Sequence, residues 1–181
     1  MPTTTPNTGT GTVNQLLGVN NHGRAAGFYT DGADVSHAYV LNLATGHFSD
    51  LTVPGATSAT ATGINDYGDV SGFATLANGS TAAWLIHHHR FSVFDLPGSA
   101  NTQALGVNNG DQVVGSYVDG NNNMHGFLAS RYGFRTLDDP NGVGTTTING
   151  INNRDQIVGF YGDGAGNTDG FVGTPADLDT H

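Results

Sequence analysis

The sequence contains no cysteine, no glutamate and no lysine among its 181 residues. The absence of cysteine excludes disulfide bridges and thiolate metal sites. All 15 acidic residues are aspartates and all 5 basic residues are arginines. The chain therefore has few of the long side chains that favour helices, whereas its glycine, asparagine, threonine and aspartate favour turns and strands. This composition predicts an all-β protein.

Positive charge and long apolar runs are also scarce. The formal net charge is −10 at pH 7, which argues against nucleic acids and anionic membranes as partners. No apolar run approaches the ~18 residues of a membrane span, so we expect no membrane insertion. The first residues, MPTTTPNTG, have neither the basic nor the apolar region of a signal peptide. The acidic, lysine-free composition predicts an extracellular or periplasmic protein whose signal peptide is not present in this sequence.

The chain repeats one phrase four times. The phrase reads GVNNHGRAAGFY at Gly18, GINDYGDVSGFA at Gly63, GVNNGDQVVGSY at Gly106 and GINNRDQIVGFY at Gly150. The first glycines are spaced by 45, 43 and 44 residues. A fixed period of this size is typical of propellers, solenoids and other repeat arrays.

Each repeat divides into four apolar runs separated by turn signals. In the second repeat the runs are 58–65, 69–75, 80–86 and 90–96. Their short Asn/Asp/Gly links predict antiparallel hairpins, so each repeat is expected to form a four-stranded meander. The last repeat lacks the fourth run, and residues 2–6 resemble that missing strand.

These features predict one all-β domain over residues 1–181, a four-bladed β-propeller of four-stranded antiparallel meanders. The repeats cover about 13–56, 57–99, 100–143 and 144–173. The N-terminal strand, residues 2–6, is expected to pair with the last blade and close the ring, which removes two sheet edges. A solenoid, a two-sheet sandwich and a larger ring formed by two chains are the alternatives. We expect a monomer or a homodimer.

The phrase "GIN…G.IVG.Y…HGF" resembles the bacterial extracellular HAF-type repeat over about residues 13–172. The motif stands as His37-Ala38-Tyr39 and His125-Gly126-Phe127. It is replaced by Ala82-Ala83-Trp84 and Asp169-Gly170-Phe171 in the other two repeats. The resemblance implies extracellular, β-propeller-like repeats and carries no catalytic residue with it.

Four equivalent asparagines end the first strands of the repeats: Asn20, Asn65, Asn108 and Asn152. The simplest interpretation is that each side chain caps the turn that follows. A ring of four amides could also bind water, an ion or a sugar hydroxyl. His37 and His125 are expected to be buried and hydrogen-bonded inside their own meanders.

In a meander, the turn between strands one and two and the turn between strands three and four lie at the same end. We call this end the upper face. The residues that differ between repeats there are His22, Tyr67 and Arg154, with Arg131 and Tyr132 further out. We predict that these residues and the four asparagines bind a small molecule or glycan, either a carbohydrate or an acidic small molecule such as a uronic acid. The alternative is a small lyase or isomerase in which His22 and Tyr67 act as acid–base groups and Arg154 holds a carboxylate.

Two stretches suggest metal ions. His87-His88-His89 lies in a hairpin turn, and because alternate strand residues point to opposite sides, His87 and His89 are the pair that could share a transition-metal ion. A solvent-exposed turn is the competing interpretation. The Asp-Gly loops at 31–34, 119–122 and 163–166 resemble calcium loops in composition but lack the EF-hand pattern, so at most a structural Ca2+ is expected.

Overall fold

A computed structural model describes residues 13–173 of the chain. These residues form fifteen strands, and the described part of the chain contains no helix long and apolar enough to cross a membrane. The prediction of an all-β protein is confirmed. The strands are β1 (Asn14–Val19), β2 (Arg24–Thr30), β3 (Ser36–Asn42), β4 (Phe48–Asp50), β5 (Ala56–Ile64), β6 (Val70–Leu76), β7 (Thr81–His87), β8 (Arg90–Phe94), β9 (Ser99–Val107), β10 (Val113–Asp119), β11 (Met124–Ser130), β12 (Gly133–Thr136), β13 (Thr147–Ile151), β14 (Ile157–Gly162) and β15 (Thr168–Gly173).

Consecutive strands pair antiparallel in four meanders, one for each repeat. Meander one is β1–β4, meander two β5–β8, meander three β9–β12 and meander four β13–β15. In meander two the observed strands lie within about two residues of the four apolar runs of the sequence. The short Asn/Asp/Gly links therefore fold as hairpins, as their composition predicts.

The hydrogen-bonded sheets differ from four separate four-stranded blades. They contain four, eight and three strands. The eight-stranded sheet arises because Thr81 of β7 pairs with Asn101 of β9, which joins meanders two and three through one parallel residue pair. The strand expected to complete meander four, residues 2–6, lies outside the described residues. Within residues 13–173 no strand pairing joins meander four to meander one, so this part of the chain does not form a closed ring.

The core lies between successive meanders and consists of three clusters. The first cluster holds Ala26 and Val40 of meander one against Ala61, Ile64 and Trp84 of meander two. The second includes Ala83, Leu96, Ala104, Val107 and Phe127, from meanders two and three. The third joins Val114 and Leu128 of meander three to Ile148 and Ile157 of meander four. The meanders therefore stack in chain order, each burying one sheet face against the next.

The first glycine of each phrase lies where the inner strands of neighbouring meanders touch. A Cβ built on Gly63 would lie 3.2 Å from the Cα of Gly106, and one on Gly106 would lie 3.2 Å from the Cα of Gly150. A Cβ on Gly18 would lie 3.0 Å from the Cα of Gly63. Only a residue without a side chain permits this approach, which agrees with the packing role expected for glycine inside a strand.

Candidate functional site

The four equivalent asparagines cap their own turns and bridge neighbouring meanders. The Asn65 Oδ1 accepts from the backbone N–H groups of Tyr67 and Asp69 at 3.0 and 2.9 Å, and its Nδ2 donates to the Asn108 carbonyl at 3.1 Å. Asn20 donates in the same way to the Asn65 carbonyl at 2.9 Å, and Asn108 to the Asn152 carbonyl at 3.2 Å. Their amides are thus used for capping, and three of them also hold the stack together.

A small axial cavity of about 160 Å3 collects residues from all four meanders. Asn20, Asn65 and Asn152 line it together with the residues that follow them, such as Asp66. The pKa of Asp66 falls to about 2 because its carboxylate accepts hydrogen bonds from the Asn109 side chain and from the backbone and side chain of Asn21. The polar residues that line the cavity are already hydrogen-bonded to other protein groups, and its other lining residues are apolar. The cavity therefore offers little free hydrogen-bonding capacity to a ligand.

His22, Tyr67 and Arg154 lie on the upper face but do not line the axial cavity. All three are exposed. Their backbone N–H groups donate to the asparagine two residues earlier, at 2.9–3.0 Å. The structure therefore places these residues at equivalent turn corners and does not gather their side chains into one pocket.

A cleft between meanders two and three on the upper face has a volume of about 450 Å3. This is the size of a pocket for a small molecule. The apolar residues that line the cleft include Leu85, Phe94, Leu96, Pro97, Val113 and Phe134. The polar groups that line the cleft are His87, Ser92, Asp95, Asp111, Ser130 and Arg131.

His87 lies between two carboxylates at one end of the cleft. Its Nδ1 is 3.4 Å from Asp69 Oδ2 and 3.5 Å from Asp111 Oδ1. Asp69 is only 3% exposed and accepts hydrogen bonds from the His88 N–H and the Asn65 Nδ2, both at 2.9 Å. Burial raises the pKa of Asp69, but these hydrogen bonds and the nearby His87 outweigh it, so the pKa is lowered. The ligand atoms of Asp69, His87 and Asp111 all lie within 4.8 Å of one another.

The turn that carries the three histidines has an unusual backbone. His88 and His89 both have positive φ, 47° and 61°, and Arg90 pairs with His87 across the hairpin. Two successive residues with positive φ characterise the type I′ turn, which Asn-Gly fills with least strain. His89 occupies the second corner and does not belong to the group formed by His87, Asp69 and Asp111. The structure thus brings His87 to two aspartates rather than to His89.

Asp95 and Arg131 supply the remaining charges of the cleft. Partial burial raises the pKa of Asp95, and a hydrogen bond with Thr102 opposes this effect. The Arg131 guanidinium lies over the Tyr132 ring, with its Cζ 4.7 Å from the ring centroid, and donates to the Tyr132 hydroxyl. That Arg131 and Tyr132 bind a ligand on the upper face stays a prediction, and Tyr132 is 84% exposed.

Asp69, Asp95 and Asp111 were not among the site residues predicted from the sequence. The sequence contains a signal for Asp111, which stands at the repeat position that Gly23 and Gly68 occupy in meanders one and two. All three residues have positive φ, which is 62° for Asp111. An aspartate in a position that favours glycine has a less favourable backbone conformation than glycine would have, but it places a carboxylate at the turn. Nothing in the sequence marks Asp69 or Asp95, since their environment depends on how meander two packs against meander three.

The Asp-Gly loops lie at the end of the meanders opposite the upper face, and their aspartate carboxylates cap the turns. Asp119 Oδ1 accepts from the N–H groups of Asn121 and Asn123, both at 2.8 Å, and these bonds lower the pKa of Asp119 to about 2. Asp163 accepts in the same pattern from Ala165 and Asn167. The possible Ca2+ in these loops stays a prediction, and the carboxylates that would bind it already serve the turns.

The two histidines of the HAF-like motif are half-buried and hydrogen-bonded within their meanders. His37 Nε2 lies 2.9 Å from Asp31 Oδ2, and His125 Nδ1 lies 2.7 Å from Asp138 Oδ2. His125 also lies 3.5 Å from Asp119 and stacks on Tyr117. Hydrogen bonding inside the meander is confirmed, while full burial is not.

We expect the stability contributed by His125 to decline as the pH rises. Burial lowers the pKa of His125, but Asp138 and Asp119 outweigh it and raise the pKa above its ordinary value of 6.5. The contribution is therefore fully present below about pH 6.5 and lost as the pH rises through the folded pKa. Urea unfolding of the wild type and of His125→Asn between about pH 5.5 and 8.5 measures it. A stability difference independent of pH would contradict this expectation.

The chain matches no protein-family model, and no curated protein matches it. The resemblance to the HAF-type repeat therefore remains a prediction from the motif residues.

Proposed function

We propose that the protein is a secreted, non-enzymatic module that binds a carbohydrate in the cleft between meanders two and three. The observation that supports this most is the composition of the cleft, whose lining combines apolar residues such as Phe94 and Phe134 with hydrogen-bonding groups. Sugar rings present apolar C–H faces and several hydroxyls. Aromatic rings pack against the C–H faces, and carboxylates and guanidinium groups form hydrogen bonds with the hydroxyls.

A neutral sugar suits the cleft better than an acidic one. Among the described residues that line it, Arg131 is the only arginine, whereas two are aspartates, Asp95 and Asp111. A third carboxylate, that of Asp69, lies 3.4 Å from His87 Nδ1. A ligand carboxylate would meet these acidic groups in a protein of net charge −10. Neutral hydroxyls can instead donate to the carboxylates and accept from Arg131.

Calorimetric titration with neutral oligosaccharides and with uronic acids tests this proposal. We expect Asp111→Asn and Phe134→Ala each to weaken binding of a neutral sugar by roughly 10-fold or more. The first substitution removes a hydrogen-bond acceptor, and the second removes an aromatic surface on which the sugar ring packs. Asp169→Asn, an exposed change outside the cleft, serves as the matched control and should leave binding unchanged. Absence of binding to every neutral glycan and uronic acid tried would refute the proposal.

A lyase or isomerase in the same cleft is the alternative function. It is favoured by the raised pKa of Asp95 in a cleft that also holds His87 and Arg131, since functional acids often have perturbed pKa values. Mass spectrometry of each ligand after incubation separates the two functions. An unchanged ligand supports the binding module, whereas an unsaturated or rearranged product that His87→Ala abolishes supports the enzyme.

We also propose Asp69, His87 and Asp111 as ligands of a transition-metal ion. The separations of His87 Nδ1 from the two carboxylate oxygens, 3.4 and 3.5 Å, match the roughly 3.4 Å between ligands of a tetrahedral ion bound at about 2.1 Å. Titration with zinc chloride should show binding that His87→Ala weakens at least 10-fold. His89→Ala should leave it unchanged, whereas a loss in both variants would support the pair His87 and His89.

We further propose that the four meanders are blades of a β-propeller-like ring. The support comes from the axial cavity, which inner residues of all four meanders line, and from their stacking in chain order. Closure requires a partner for the sheet face of meander four on which Val158 and Val172 are exposed. That partner is either meander one of the same chain, with residues 2–6 completing meander four, or another copy of the protein.

A further inference from the structure

Successive meanders pack against each other at three internal interfaces, which lie between meanders one and two, two and three, and three and four. In the third interface Val114 and Leu128 of meander three are 0% and 6% exposed, and they pack with Ile148 at 0% from the first strand of meander four. Ala26 and Val40 of meander one meet Ala61 and Ile64 in the same way. Each interface thus joins the second and third strands of one meander to the first strand of the next.

Among residues 13–173, the two ends of the stack carry the same apolar positions, and these are largely exposed there. Val158 and Val172 in meander four correspond to Val114 and Leu128, yet they are 51% and 64% exposed. Leu16 and Val19 in β1 correspond to Ile148 and Ile151, and they are 39% and 66% exposed. We call the first pair, with Phe160, the open face and the second pair the leading strand. Exposed apolar surface of this kind marks interaction sites.

The polar groups at the two ends are also complementary. The Nδ2 of Asn20, Asn65 and Asn108 each donate to the carbonyl of the next asparagine of the series. Asn152, the last of the series, donates its Nδ2 to its own turn neighbour Gln156. The backbone N–H of Asn109 donates to Asn153 Oδ1 in the following meander. If β1, with Asn20 and Asn21 after it, packed on meander four, Asn152 could donate to the Asn20 carbonyl and the Asn153 N–H to Asn21 Oδ1. Both kinds of hydrogen bond between meanders would then continue beyond meander four.

The open face also has room for a first strand. A recess of about 330 Å3 is lined by Gly150, Ile151, Asn152, Gln156, Val158 and Val172. A Cβ on Gly150 would meet only the Val158 side chain within 4 Å, whereas Gly18, Gly63 and Gly106 each face the glycine of the next meander. Gly150 therefore lacks the neighbour that every other first glycine has among the described residues.

We infer that the open face of meander four binds the leading strand β1 of a second copy, so that two chains close head to tail into a ring of eight meanders. The occupant follows from continuity with the three internal interfaces, because β1 carries the apolar residues, the glycine and the asparagines that such a face accepts. Each chain supplies one open face and one leading strand, so a two-chain ring satisfies both ends of both copies.

Mass measurement by light scattering and analytical ultracentrifugation tests the inference on the full chain. The wild type should have twice the mass of the 18.6 kDa chain. Val158→Asp and Val19→Asp should each halve the mass, because a carboxylate buried in an apolar interface is strongly unfavourable. Val143→Asp, a change at a 72% exposed valine outside both ends, is the matched control and should remain dimeric.

Mixing the two variants identifies the geometry. Val158→Asp chains retain an intact leading strand and Val19→Asp chains an intact open face, so an equimolar mixture should regain dimer through one intact interface. Unchanged circular dichroism of the single variants shows that the fold persists, as expected for substitutions at exposed positions. A monomeric wild type, whose faces are covered within the same chain, would overturn the inference. So would dimers in both variants, a mixture that stays monomeric, or open polymers of the wild type.

Discussion

Gly72→Ala is expected to lower the free energy of unfolding by about 3 kcal/mol or more. A Cβ on Gly72 would lie 2.6 Å from the Cε2 atom of Trp84 and would overlap the Thr60 carbonyl oxygen. Trp84 is fully buried in the core between meanders one and two, and Thr60 lies on the paired strand β5. Neither group can move without disturbing the sheet or the core, so the added methyl strains the fold.

Urea unfolding followed by circular dichroism measures this effect. Gly120→Ala is the matched control, since a Cβ there meets no atom within 4 Å and the backbone does not have positive φ. It should change stability by less than about 0.5 kcal/mol. Equal stability of the two variants would show that the close pairing of β5 with β6 at Gly72 does not constrain this position.

Asn65→Ala is expected to lower the free energy of unfolding by about 3 kcal/mol. Asn65 is only 4% exposed, and its side chain accepts from two backbone N–H groups and donates to Asp69 and to the Asn108 carbonyl. Removal leaves buried donors without acceptors, and each unsatisfied group costs about 1–3 kcal/mol. The bridge from meander two to meander three is lost as well.

Asn152→Ala provides the matched comparison at the same repeat position. Asn152 is exposed, and its side chain caps its turn through Arg154 and Gln156 without reaching a further meander among the described residues. We expect a loss of about 1 kcal/mol, the ordinary cost of a lost cap. Chemical denaturation of both variants checks the difference, and equal losses would show that the bridge contributes nothing beyond the cap.

The repeat phrase made the local structure predictable. Glycine and asparagine signals bounded runs of strand length, and the observed meanders follow those runs because neighbouring strands joined by short links pair as hairpins. The roles of Asn65 and of Gly63 were also accessible, since a turn cap and a close backbone approach are local properties of residue type.

The cleft was not predictable for a physical reason. His87 is in β7 and Asp111 follows β9, and their proximity depends on how two sheets lean against each other, which no short-range pattern encodes. Variation between the repeats is the feature that points to His22, Tyr67 and Arg154. However, variation at a turn corner does not determine whether a side chain faces a cavity, and these three do not line the axial one.

The stacking of meanders has a consequence for how the protein unfolds. Each core cluster joins only neighbouring meanders, so stability is distributed as nearest-neighbour terms along a line. Meander four has three strands and one internal neighbour among the described residues, whereas meanders two and three each have two. In a chain whose open face is not covered by a second copy, amide hydrogens of β13–β15 should therefore exchange with solvent through local opening before those of β5–β7, and meander four should be less cooperative than meanders two and three.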